Sequence, residues 1–117
     1  MSFVTAFVVA VPTANKGAYL ENAKKADAFF KEKGAIRVVE CWANDVPDGK
    51  VTSFPMAVKK ADDETVAFGW IEWPSKPVAE AAFDEVMTHP DFAPGKMAMP
   101  FDGKRMIYGS FDVILEL

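Results

Sequence analysis

Four β-rich stretches and two with helical periodicity follow one another as β-α-β-β-α-β, which predicts an α+β domain with a four-stranded antiparallel sheet. Three observations carry this. Val- and Phe-rich runs cover residues 2–11, 35–43, 65–73 and 104–115. Apolar residues recur at helical spacing between the first and second runs and again between the third and fourth. Proline, glycine and Asp-Gly signals punctuate the joints.

The first strand, Ser2 to Val11, is almost wholly apolar and is closed by Pro12. Thr13 or Asn15 can cap a helix running to about Lys33, with Tyr19, Ala23, Ala26 and Phe30 on one face and Gly34 as its stop. Ala35 to Ala43 is the second strand, and residues 44–50 are turn chemistry. Val51 to Ala61 fits either a short strand or a helical turn, and Asp62-Asp63-Glu64 reads as a solvated turn. Thr65 to Trp73 is the third strand, ended by Pro74. Ser75 then caps a helix with Pro77 in its first turn and Val78, Ala82, Phe83, Val86 and Met87 on its apolar face, ending near His89-Pro90. Residues 91–100 are a loop or short extra helix. Asp102-Gly103 turns into a last strand, Lys104 to Leu115. This order is the ferredoxin-like arrangement, in one domain spanning 1–117.

Two helices cover only one face of such a sheet, so a strand whose other face meets water should alternate apolar and polar residues. These strands do not: Phe3, Thr5, Phe7 and Val9 oppose Val4, Ala6, Val8 and Ala10, and Phe68 and Trp70 oppose Ala67, Gly69 and Ile71. An exposed apolar face of that size is unusual on a monomer, which predicts a homodimer closed sheet against sheet. The small residues Ala6, Ala10, Cys41, Ala67, Gly69 and Gly109 are expected beneath the helices. The bulkier Phe7, Val38, Glu40, Trp42, Phe68, Trp70, Glu72 and Tyr108 are expected toward the partner, on an assumed register between strands.

Composition narrows the function classes. The chain has 117 residues, half of them hydrophobic, with ten Phe, three Trp and two Tyr, enough for a substantial core. Seventeen acids against thirteen Lys and Arg give a net charge of −4, which counts against nucleic acid and anionic membrane as partners. No run approaches the ~20 apolar residues of a membrane span. The N-terminus lacks the positive flank of a secretory signal, and a single cysteine fits a reducing compartment, so the expected location is the cytoplasm. One His and one Cys make no metal site, and no P-loop or G-x-G-x-x-G is present, so no metal and no cofactor is expected. His89 reads as a helix-end residue. Cys41 reads as a small buried hydrophobe, with no histidine near in sequence to activate it.

Glu40 and Glu72 stand out because each lies inside an apolar, aromatic strand, and carboxylates are rarely buried unless paired. On one face they would form a polar point in a pocket lined by Trp42, Phe68 and Trp70, and Arg105 and Tyr108 are further candidates for ligand contact. Two uses stay open. Mutual repulsion would raise a pKa and suit proton transfer, or each carboxylate pairs with Arg37, Arg105 or the backbone and fixes the dimer. Lys104 and Arg105, directly after a turn, offer either an anion contact or an ion pair across the dimer.

Residues 38–43 (Val-Val-Glu-Cys-Trp-Ala), 45–52 (Asp-Val-Pro-Asp-Gly-Lys-Val-Thr) and 99–109 (Met-Pro-Phe-Asp-Gly-Lys-Arg-Met-Ile-Tyr-Gly) resemble the YbaA-like family of bacterial proteins of unknown function, as do residues 7–12 and 70–72. The resemblance extends over nearly the whole chain. It implies membership of the dimeric alpha-beta barrel superfamily, whose members include cofactor-free monooxygenases, haem-degrading enzymes and proteins without known activity, and it carries over no catalytic residue. Two function classes follow as expectations. One is a homodimer binding a small molecule between sheet and helices or between sheets, as a cofactor-free oxygenase or isomerase would. The other is a non-enzymatic binding or regulatory dimer.

Overall fold

A computed structural model describes residues 2–90 and 99–117. Its elements are β1 (Phe3–Pro12), α1 (Lys16–Glu32), β2 (Arg37–Trp42), the single turn α2 (Phe54–Ala57), β3 (Glu64–Trp73), α3 (Lys76–Thr88) and β4 (Ile107–Asp112). The sheet is antiparallel in the order β2-β3-β1-β4. The two central strands are the longest and the most buried, as expected of strands flanked on both sides. Among the described residues no helix is long and apolar enough to cross a membrane.

Local chemistry sets the element ends. Gly34 follows α1 with φ +114°, a left-handed conformation suited to glycine, and a side chain there would also strike Val78. The ambiguous 51–61 stretch contains a helical turn because the Ser53 side chain accepts the Met56 N–H and Pro55 sits in its first turn. The last strand starts three residues later than the sequence suggests. Asp102 accepts the Lys104 N–H and winds Gly103–Arg105 into a 3-10 turn, so only Ile107–Asp112 pairs with β1. The expected loop or helix at 91–100 falls mostly outside the described residues.

Both longer helices lie on one face of the sheet. Phe29, Phe30, Ile71, Trp73, Ala79 and Ala82 form the larger core there, and Val9, Val11, Tyr19 and Ala67 the smaller. Trp73 is fully buried, edge-on to Phe30 and Phe83, with its indole N–H on the Thr5 hydroxyl at 3.2 Å. At one end of the opposite face, Val58 is fully buried against Val8, Ala10 and Val66. There the segment after β2 folds back over the sheet. Away from that end, the second face carries Phe68, Trp70 and Phe111 without a covering helix or strand among the described residues. We call it the open face.

Candidate functional site

Strand register decides which candidate residues meet. Glu40 pairs with Gly69, and Arg37 with Glu72, so even-numbered β2 residues share a face with odd-numbered β3 residues. This corrects the face assignment. Val38, Glu40 and Trp42 lie under the helices beside Gly69, whereas Phe68, Trp70 and Glu72 lie on the open face. Phe7, opposite Gly69, and Tyr108, opposite Phe7, are also on the helix side. Of the small residues, Ala67 and Gly69 lie beneath the helices, but Ala6, Ala10, Cys41 and Gly109 are on the open face. The physical cause is the one-residue slip that sequence leaves undetermined. Glu40 and Glu72 therefore do not share a pocket.

Each carboxylate has its own partners. Glu72 Oε2 accepts the Trp70 indole N–H and the Arg37 Nε–H, both at 2.8 Å, and the guanidinium lies 5.8 Å from the Trp70 ring centre. The indole bond first, then the bond and charge of Arg37, hold the Glu72 carboxyl below its usual range. Glu40 Oε1 accepts the Tyr19 hydroxyl at 2.6 Å, and burial first, then the nearby Glu40 carboxyl, push Asp27 up to about 8. Trp42 packs against Tyr19, which also meets Phe101, and the Lys16 ammonium sits 5.4 Å from the Trp42 ring centre.

Arg105 turns to its own chain rather than into a pocket. Its guanidinium makes two bonds of 2.8 and 2.7 Å to Glu64, one to the Lys59 carbonyl and one to Asp102. Glu64, expected in a solvated turn, is buried, and the Arg105 hydrogen bonds are the main reason its pKa falls to about 2. This corrects the reading of Glu64, while Asp62 and Asp63 are exposed in a turn as expected. The cluster ties the turn before β4 to the loop before β3.

The open face holds two shallow apolar hollows that share Phe68. The larger, about 330 Å³, lies between β2 and the segment containing α2 and is lined by Cys41, Ala43, Val46, Phe54 and Val66. The second, about 260 Å³, lies against β1 and β4, where Ala6, Ile107, Tyr108 and Phe111 line it. Phe54 meets Phe68 edge-on at 6.1 Å, and Phe68 tilts against Trp70 at 5.9 Å. Of the residues proposed from sequence to contact a ligand, Phe68 lines both hollows from the open face, while Trp42 borders the first and Tyr108 the second although register turns both to the helix side. Among the described residues no group of three or more His, Cys, Asp or Glu side chains is placed to hold a metal ion.

Sequence reading missed Asp27 and Glu64. Asp27 had a signal: Tyr19, Ala23 and Asp27 are spaced by four on the buried stripe of α1, where an acid needs a partner. Glu64 had none, because it closes a run of three acids next to a turn.

Residues 2–103 match the model of a family described as a protein of unknown function, DUF1428. The chain is 57% identical over 116 residues to the uncharacterized protein YbaA of Escherichia coli K12, covering 99% of both chains. The chain belongs to the YbaA-like, DUF1428 family. YbaA of Shigella flexneri has the same identity and coverage. Among solved structures, a dimeric ferredoxin-like protein from an uncultured marine organism superposes with TM-score 0.63 at 9% identity, covering 99% of this chain and 98% of that one. SnoaB, a cofactor-independent oxygenase from Streptomyces nogalater, superposes with TM-score 0.57 at 13% identity, with 99% and 96% covered. At these identities the likeness establishes the fold of this YbaA-like chain and nothing of its chemistry.

Proposed function

We propose that this protein is a homodimer that packs its open sheet faces together and binds an apolar small molecule in the space between them. The observation that carries the reading is the open face itself. Its two hollows are lined mainly by apolar side chains, with Asn44 and Asp45 also lining the larger, and meet at Phe68, and beside them Phe111 is 60% exposed and Ile107 45%. A second copy would remove that surface from water and close the hollows into a site. The dimeric state of a fold neighbour supports the same arrangement. Binding without turnover is favoured over catalysis because both strand carboxylates are engaged, Glu72 by Trp70 and Arg37, Glu40 by Tyr19. A cofactor-free oxygenase is the second reading, favoured by the superposition on SnoaB. It would need a base free to reach the ligand.

The test is a fluorescence titration of the full chain with anilinonaphthalene sulfonate, an aromatic probe that brightens in apolar sites. Saturable binding is expected, with loss of at least about tenfold in affinity in Phe68→Asp, since burying an unpaired carboxylate in such a site costs more than 1.4 kcal/mol. Unsaturable binding, or equal binding by the variant, contradicts the proposal.

A further inference from the structure

We propose that the segment between β2 and β3 serves the second copy of the chain: in the dimer, residues 44–57 of each protomer lie over the bare end of the other's open face. The arrangement rests on the homodimer reading above and adds its orientation and the make-up of its site. The open face has two unlike ends. At one, where β1 finishes and β3 starts, Val58 is fully buried against Val8, Ala10 and Val66, and Phe54 stands edge-on to Phe68. Arg105, just before β4, bonds the Lys59 carbonyl at the same end. The segment therefore forms an extra layer reaching from β2 across to the start of β4. At the other end, where β1 starts and β3 finishes, Val4, Trp70 and Phe111 have no helix or strand over them among the described residues.

Exposed apolar side chains follow the same division. On the segment Val51 is 95% exposed, and Phe54 and Met56 are exposed beside it. At the bare end Phe111 is exposed, and Ile114, just past β4, is 89% exposed. Two apolar groups at opposite ends of one face are brought together by a two-fold axis running across the strands, so that each copy's segment meets the other's bare end. The axis then passes near Phe68, midway along β3 and shared by both hollows. The opposite choice, segment upon segment, fails on area. Strands about 4.8 Å apart, rising about 3.3 Å per residue, give the face on the order of 500 Å². A stable interface takes about 800 Å² of accessible surface from each partner, so nearly the whole face is needed. Two stacked segments would hold the sheets apart and leave both bare ends in water. With the ends reversed, the larger hollow, between β2 and the segment, is closed by Trp70 of the partner subunit.

The experiment measures distances between nitroxide spin labels across the full-length dimer by pulsed electron resonance. Cys41→Ala removes the native thiol, and Val51→Cys or Phe111→Cys then places one label per chain at an exposed position. The two Val51 labels of a dimer are expected far apart, roughly the 30 Å span of a ten-residue strand, as are the two Phe111 labels. Mixed dimers of the two labelled variants should give a cross distance shorter than either. A distance between the Val51 positions equal to or shorter than the cross distance overturns the proposal and leaves the dimer standing. Val51→Asp, at a site that packs so little within its own chain, should stay folded and weaken the dimer at least about tenfold. Unchanged dimerisation in that variant overturns the arrangement as well. A monomeric wild type, seen in its mass before any label is attached, overturns the homodimer reading and this proposal with it.

Discussion

Trp73→Ala should lose about 3–5 kcal/mol of folding stability in a urea titration, the largest effect expected of any single truncation in the chain. Trp73 has no exposed surface and joins the two helices to the sheet. Its ring is edge-on to Phe30 of α1 and to Phe83 of α3, and its N–H meets Thr5 of β1. Truncation would therefore open a cavity where three elements converge. Thr5 keeps a partner in Ser110 at 3.0 Å, so the loss reports packing rather than a stranded hydroxyl. A loss below about 1 kcal/mol, the ordinary range of mutations, would mean that this core is not packed as described.

Arg105→Gln should give the largest electrostatic effect. Glu64 is buried and depends on Arg105 for a charged partner, with the Ala61 N–H as its other donor. Its pKa is lowered from 4.5 to about 2, chiefly by the Arg105 bonds. A lowered carboxyl contributes stability that is present above pH 4.5 and lost as pH falls through about 2. The variant should be destabilised at neutral pH, because a carboxylate shielded from water loses its cation, and much of the decline between pH 4.5 and about 2 should vanish. Acid titrations monitored by circular dichroism would show this. Superimposable curves for variant and wild type would remove the lock between the two loops.

How far the sequence reached is visible in individual residues. The order of elements was legible because Val- and Phe-rich runs alternate with helical stripes, and Pro12, Gly34 and Pro74 mark the joints. The resemblance to the YbaA-like family was legible in residues 38–52 and 99–109 and holds along the chain. Strand register was not. Glu40 pairs with Gly69, which has no side chain to signal a face, so nothing in the composition of β2 and β3 separates the true pairing from one slipped by a residue. That slip moved Glu40 and Trp42 from the open face to the helix side and split the expected carboxylate pair. Glu40 instead meets Tyr19, brought to it by α1 lying on β2, a contact between elements that no local pattern encodes. Likewise β4 is shorter than its apolar run because Asp102 caps a turn that consumes the first residues.

The claim that this sheet works against a second copy of itself rests on the uncovered face around Phe68, Trp70 and Phe111. Multi-angle light scattering of the full chain at micromolar concentration tests it most directly. The account predicts a mass about twice the 12.9 kDa of one chain. A stable, soluble species at 12.9 kDa would contradict it.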